Sequence, residues 1–446
     1  MRADGTFYIR TFGCQMNERD SEIAASLLGD LGLRRVAGVQ EAQVVVVNTC
    51  HIREHAEGRA LSFVGRLKGW RAECSSRVLV LMGCVAEAHS SRLLNKFPQV
   101  DLVLGPSHLL ALGDAVGKAM NNGGKAILTG IPREAGVPEL KGSGPRGWKA
   151  SIKIMEGCDQ RCAFCVVPLV RGPARDGPFE GILAEASRLA DEGVVELLLL
   201  GSAVNAYGRR AGPERDFAAL IRGLSLVRGL ERVRFMSPHP LWATPAMFEA
   251  MADSSNAARH LHLPVQSGSN RMLKAMRRGY TSESFLGQVS AARRLMPNLS
   301  ITSDFIVGFP GETQEDFRDS LKLAVDAGFD GAFTFKYSAR PGTPAASFDG
   351  QVPEEVKNER LAEINSTIGA QGRRVNDKLV GSTVEVLVEG PSEKNCAWLG
   401  RLGSNKAVFF ERGDARPGQL RLVELTKAGS WTLSGKLKAP AGEARI

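Results

Sequence analysis

Residues 150–168 read ASIKIMEGCDQRCAFCVVP, a strand-like segment that runs straight into Cys158, Cys162 and Cys165. In parallel α/β architectures, ligands gather at the carboxyl ends of strands. A loop at that position can wrap three thiolates around one small inorganic object, and thiolates are soft ligands suited to iron–sulfur clusters or zinc. A structural zinc site wants four protein ligands. After Cys165 the next histidine is His239 and the next cysteine is Cys396, so no local partner completes a zinc set. Three cysteines on a four-iron cluster leave one iron without a protein ligand, which is what a substrate-binding cluster needs. The crowding of the three disfavours a purely structural role.

Downstream of this loop the alternation continues through VELLLL, RVRF, HLHLP, SITSDFIVGF and GAFTFKYS, with helical stretches such as FEGILAEASRLADEG and TQEDFRDSLKLAVDAG between them. Six strand candidates over about 220 residues predict a partial parallel barrel, a (β/α)6 core spanning 149–379 and closed by a long helix at 353–379. Upstream, TFYIRTF (6–12), QVVVVNT (43–49), RVLVLMG (77–83) and DLVLG (101–105) alternate with amphipathic segments. That pattern predicts a parallel α/β domain over 1–130. The Pro- and Gly-rich stretch 131–148 reads as a linker. The last portion, 380–446, has short alternating segments bounded by turns, and predicts a small antiparallel β-barrel of about 65 residues. The fold class is α/β.

A second set of cysteines lies in the N-terminal domain. Cys14, Cys50 and Cys84 each follow a different strand, so neighbouring strands would bring the three thiols to one edge of the sheet. Chance placement is the alternative to a second cluster with an open iron. Cys74 and Cys396 fit neither set. Two open clusters narrow the chemistry: one makes a radical while the other presents sulfur. A radical is useful where a C–H bond is too weakly acidic for a protein base, so sulfur insertion at an unactivated carbon is expected.

Composition sets looser bounds. The 446 residues are 43% hydrophobic and 24% charged, as in a soluble multidomain chain. No apolar run approaches the ~18 residues of a membrane span, and the N-terminus lacks the regions of a signal peptide. Eight cysteines without such a peptide fit a reducing cytoplasm better than a disulfide framework. Lys+Arg 57 against Asp+Glu 48 gives +9, a mild argument for a nucleic-acid partner.

The CxxxCxxC loop after the first strand of a partial barrel resembles the radical S-adenosylmethionine superfamily. The whole order of motifs resembles one family within it, the methylthiotransferases. TFGCQMNERDSE (11–22), NTCHIRE (48–54), MGCVAE (82–87), GCDQRCAFCVVPLVRG (157–172), HLHLPVQSGSNRMLKAMRRGY (260–280), TSDFIVGFPGETQEDF (302–317) and FKYSARPGTPAA (335–346) match in sequence, and the C-terminal segment looks like its TRAM module. GCQMN, CAFCVVP and HLHLPVQSGS look most like the MiaB branch, which modifies tRNA.

The resemblance implies two [4Fe-4S] clusters, on Cys158, Cys162 and Cys165 and on Cys14, Cys50 and Cys84, with S-adenosylmethionine cleaved to a 5′-deoxyadenosyl radical at the first. Phe164 would pack near the cofactor's adenine, with Gly308, Gly311 and Glu312 as turn residues that line its pocket. The implied substrate is the prenylated adenosine beside the anticodon, methylthiolated at carbon 2. The implied partners are a tRNA anticodon stem-loop and a flavodoxin or ferredoxin, with the enzyme a monomer. In the C-terminal barrel, Lys394, Arg401, Lys406 and Arg412 are the candidate phosphate contacts. Arg271, Lys274, Arg277 and Arg278 form either a phosphate-facing or a solvated helix face, and His260 and His262 read as packed, hydrogen-bonded residues.

The match departs at three places. The usual RGxExSR is RGPARDGP at 171–178, GQNVxxYG is GSAVNAYG at 201–208, and RFTTSHP is RFMSPHP at 234–240. Ala174, Asp176, Gly177, Ser202 and Ala203 thereby replace polar or charged residues where cofactor and substrate would bind. Threonylcarbamoyladenosine, a ribosomal protein, or a non-catalytic iron–sulfur tRNA-binding role are the alternatives these changes leave open.

Overall fold

The computed structural model describes residues 5–52, 54–132, 137, 147–392 and 397–438. The N-terminal sheet has six parallel strands: β1 (Thr6–Phe12), β2 (Arg34–Arg35), β3 (Val44–Thr49), β4 (Val78–Gly83), β5 (Leu102–Leu104) and β6 (Ala126–Leu128), in the order β2-β1-β3-β4-β5-β6. All six residues of β3 and of β4 are buried. Helices on both faces explain this. Val44, Val46 and Val80 pack with Ile23 and Leu28 of α1 (Gln15–Asp30), whereas Val45, Val47, Leu79 and Leu81 pack with Val64 and Trp70 on the other side. The strands β2 and β6 were not expected; both are short and carry no buried apolar alternation.

Two of the amphipathic segments are each divided. The segment 52–70 forms α2 (Glu54–Arg66) and α3 (Lys68–Ala72), and the segment 86–97 forms α4 (Cys84–His89) and α5 (Ser91–Lys96). Ser90, at φ 42°, makes the second break. A last helix, α6 (Leu112–Asn122), covers the sheet next to α1.

The middle domain is an open half-barrel of six parallel strands in two groups of three, β11-β10-β7 and β12-β13-β14. They are β7 (Lys149–Lys153), β10 (Glu196–Leu200), β11 (Arg232–Phe235), β12 (His260–His262), β13 (Ser300–Val307) and β14 (Gly331–Lys336). A parallel bridge between Val233 and Ala257 links the groups. The short pair β8 (Met155–Glu156) and β9 (Arg175–Asp176) flanks α7 (Val167–Arg171). The outer helices include α8 (Phe179–Asp191) and α9 (Gln314–Ala327), and a 24-residue helix (Glu354–Asp377) packs on β14.

The C-terminal strands, Thr383–Pro391, Trp398–Leu402, Ala407–Phe410, Leu420–Ala428 and Thr432–Leu437, close into a barrel. It is not wholly antiparallel: Ala407–Phe410 and Thr432–Leu437 pair in parallel, and that pairing closes the ring. The barrel docks at the end where the half-barrel strands begin. Arg232 donates to Arg401 O at 2.9 Å, and Arg234 to Leu402 O at 2.7 Å. Lys406 Nζ reaches Asp330 at 2.7 Å.

Candidate active site

The first cysteine loop is set by glycine. Gly157 has φ +74°, and a Cβ there would lie 2.0 Å from Pro173 O, so the chain can turn from β8 into the loop only without a side chain. Cys158 N then bonds Gly172 O at 3.0 Å, and Cys165 N bonds Cys162 O at 3.1 Å. Ala163 pins the loop to the barrel through Met276 O at 3.0 Å and Ala345 N at 2.9 Å. The buried Arg278 donates from Nη1 to Cys162 Sγ at 3.3 Å and from Nη2 to Pro264 O at 2.8 Å. It is neither phosphate-facing nor solvated, because its guanidinium is spent inside the loop's support.

All seven described cysteines are free. Burial raises the Cys158 thiol and pushes Cys165 up to about 12, so these thiols stay neutral on their own. A bound metal deprotonates its thiols outright, and the three-thiol loop therefore fits a cluster better than a nucleophile. Phe164 lies against Ala163, Met272, Met276 and Phe309, forming an apolar wall beside the loop. Gly308 and Gly311 are turn residues at φ +70° and +77°. Glu312 clamps that turn, accepting from Gly308 N at 2.6 Å and from Arg360 Nη1 at 2.7 Å.

The second set converges as the strand order requires. In β1, β3 and β4, Phe12 is level with Thr49, and Thr49 with Gly83. One residue on from Thr49 and Gly83, and two on from Phe12, Cys50, Cys84 and Cys14 lie at one edge. The Cys14 thiol donates to Asn17 Oδ1 at 3.5 Å. The neighbouring Cys50 thiol, aided by the charge of Arg171 against burial, brings Cys14 down to about 6, while the Cys14 thiol and burial push Cys50 up. Burial raises Cys84. Gly83 is at φ +98°, with Thr49 O 2.5 Å from a hypothetical Cβ. Cys74 is exposed and bonds Ser76 at 3.1 Å, away from both sets. Cys396 lies outside the described residues.

One cavity adjoins the first cysteine loop and a second lies within the half-barrel. A cleft of about 210 Å³ beside Cys158 is lined by Asp159, Ala174, Asp176, Ala203 and Arg209. Three of the departures from the family pattern, at 174, 176 and 203, thus meet in one place. A larger cavity of about 720 Å³ fills the half-barrel lumen, bounded by Glu18 of α1, Arg234, His262, Phe333 and Trp431. His260 and His262 both bond Thr302 Oγ1, at 2.9 and 3.0 Å. They are packed as expected.

The chain is similar to known proteins along its whole length. The model described as Uncharacterized protein family UPF0004 matches residues 6–105, the Radical SAM superfamily 152–324 and the TRAM domain 377–438. The tRNA-2-methylthio-N(6)-dimethylallyladenosine synthase of Moorella thermoacetica is 40% identical over 98% of this chain and 99% of its own. That of Bordetella avium is 41% identical over 97% and 92%. The chain belongs to the radical S-adenosylmethionine methylthiotransferase family. It is an enzyme, and the family implies a [4Fe-4S] cluster and S-adenosylmethionine. A Kitasatospora setae radical S-adenosylmethionine methyltransferase, TsrM, shares the fold at TM-score 0.58 and 16% identity, over 78% of this chain and 77% of that one. Among the described residues no helix is long and apolar enough to cross a membrane.

Membership leaves the RNA contacts to the geometry. Arg401 is bonded to Glu389 at 3.0 Å within the C-terminal barrel, and Lys406 to Asp330 and Asn376 at the seam, so both charges are already paired. Arg412 is exposed and lies over Trp398 at 5.1 Å. Lys394 is outside the described residues. Arg271 pairs with Asp316 and donates to Gly311 O at 2.7 Å. Sequence reasoning missed a buried ionic network of Asp20, Lys153, Glu156 and Arg171. Its one signal was Lys153 inside an otherwise apolar strand, followed by Glu156.

Proposed function

We propose that this enzyme places a methylthio group on carbon 2 of N6-dimethylallyl(isopentenyl)adenosine next to the anticodon of tRNA. In this reading Cys158, Cys162 and Cys165 hold the cluster that works with S-adenosylmethionine, and Cys14, Cys50 and Cys84 hold a second [4Fe-4S] cluster that delivers sulfur. The observation that carries it is the placement of two three-thiol sets at strand ends of two domains whose adjoining faces are joined by buried charges. The bound cofactors supply a carbon radical able to take hydrogen from a ring C–H that no protein base can ionise.

The chain's own residues prepare the rest. Arg278 fixes Cys162, and Phe164 gives the apolar wall against which an adenine packs. The lumen, about 720 Å³ and open beside the C-terminal barrel, admits a nucleobase turned out of its stack. The C-terminal barrel grips the anticodon stem, with the exposed Arg412 among its phosphate contacts. A flavodoxin or ferredoxin supplies electrons, and the enzyme works as a cytoplasmic monomer.

The test is an anaerobic reconstitution with iron and sulfide counted, followed by nucleoside mass spectrometry of prenylated tRNA treated with the reduced enzyme. About eight irons and a methylthio adduct are expected. About four irons in the wild type would sink the reading, and an adduct only on threonylcarbamoyladenosine would reassign the substrate.

A further inference from the structure

A chain of buried charges crosses the seam between the N-terminal domain and the half-barrel. Arg171 donates from Nη2 to Asp20 Oδ2 at 2.8 Å and from Nη1 to Glu156 Oε1 at 2.6 Å. Lys153 Nζ donates to Asp20 Oδ1 at 2.6 Å and lies 3.4 Å from Glu156 Oε1. Arg175 adds a third cation 3.6 Å from Glu156 Oε2. The side chains of Asp20, Lys153, Glu156 and Arg171 are at most 3% exposed.

Three cations therefore face two carboxylates, a surplus of one positive charge. Arg175 Nε and Nη1 are buried with no hydrogen-bond partner, as is Glu156 Oε2, so hydrogen bonds do not close the outer end of the network. A buried, unmatched charge is strongly unfavourable. The groups placed to match it are the N-terminal cysteines. Helix α7, which ends at Arg171, packs on α4, which begins at Cys84, and Asp20 lies on the helix capped by Cys14. Arg171 thus lies within reach of the charge that Cys84 and Cys14 would carry on a cluster. A doubly positive four-iron core inside three thiolates is singly negative, the complement of the surplus.

We infer that this network is the built-in counter-charge of the cluster on Cys14, Cys50 and Cys84, and that Arg171 raises that cluster's reduction potential. The inference rests on the two-cluster reading. Each reduction adds one electron and one negative charge to the cluster, breaks no bond, and is favoured by a nearby fixed cation.

The test uses the full chain carrying Cys158→Ala/Cys162→Ala/Cys165→Ala, which keeps only the second cluster, titrated with dithionite and followed by electron paramagnetic resonance. Adding Arg171→Gln should leave about four irons and lower the ratio of reduced to oxidised cluster at a fixed potential about tenfold, a midpoint fall of about 59 mV. Asp20→Asn should move the ratio the opposite way, and Arg171→Lys should restore most of the loss. If Arg171→Gln holds no iron, Arg175→Gln at the outer end of the network is titrated in its place, with the same direction expected. Unmoved midpoints in variants that keep about four irons would overturn the inference and leave the two-cluster reading standing. A parent variant that binds no iron would overturn that reading, and the inference with it.

Discussion

Asn17, in the first turn of α1, and Asn48, at the end of β3, hold each other: Asn17 Nδ2 donates to Asn48 Oδ1 at 3.0 Å, and Asn48 Nδ2 donates back to Asn17 O at 2.8 Å. Asn17 also reaches Thr49 O at 3.1 Å and accepts from Cys14 Sγ at 3.5 Å. The pair thus fixes the spacing of Cys14 and Cys50, and it explains why both cysteines sit in motifs with a nearby asparagine.

Replacing Asn48 by Ala should disable the second cluster and spare the first. The change strands buried donors and acceptors on Asn17 and Ser21, at about 1–3 kcal/mol. Reconstituted iron should fall from about eight to about four, while cleavage of S-adenosylmethionine persists and methylthiolation is lost. A full iron complement in Asn48→Ala would show that the asparagine pair does not position the cysteines.

Arg278 gives the converse prediction. Its fork joins Cys162 Sγ, Pro264 O and the Tyr280 hydroxyl. Arg278→Met should remove charge-assisted bonds worth roughly 1.5–3 kcal/mol and loosen the first cysteine loop. Brief chelation should then strip the first cluster faster than in wild type. Arg278→Lys keeps the charge but not the fork, so recovery should be partial. Equal chelation rates for wild type and Arg278→Met would refute this role.

These contacts show which parts of the molecule the sequence exposes. The runs VVVV and VLVLM reveal β3 and β4 because both faces are covered, and cysteines after successive strands reveal a shared edge once the sheet is parallel. Arg171 and Asp20 are 151 residues apart, and Lys153 and Asp20 133, so no local periodicity could pair them. Arg278 and Lys406 read as surface charge for the same reason: their partners, Cys162 and Asp330, come from distant segments. The strand β2 escaped because two exposed arginines carry no apolar alternation.

Lys406 and Arg412 should separate structure from RNA binding in the C-terminal barrel. Lys406 is about nine-tenths buried against Asp330, so Lys406→Ala should destabilise the seam and speed proteolytic release of the barrel. Arg412 is exposed beside Trp398. Arg412→Ala should leave the unfolding midpoint unchanged, weaken RNA binding and reduce the salt slope by about 1. An unchanged slope in Arg412→Ala would remove it from the phosphate contacts.

Acid sensitivity should trace to buried neutral histidines. Burial, then the charge of Arg278, lowers His239 to about 2, and burial with Arg234 holds His260 well below its ordinary value. Both folded values lie under the unfolded value near 6.5, so below that pH the unfolded chain takes up protons that the folded chain refuses. The stabilisation is complete above pH ~6.5 and falls by up to ~1.4 kcal/mol per pH unit per histidine as the medium is acidified. His239→Asn, whose amide oxygen can replace Nδ1 as acceptor for Leu241 N, should cost some stability at pH ~7.5 and lose less than wild type on going to pH ~5.5. Denaturant unfolding of the anaerobic protein at the two pH values measures the difference. Parallel losses in wild type and variant would place the acid sensitivity elsewhere.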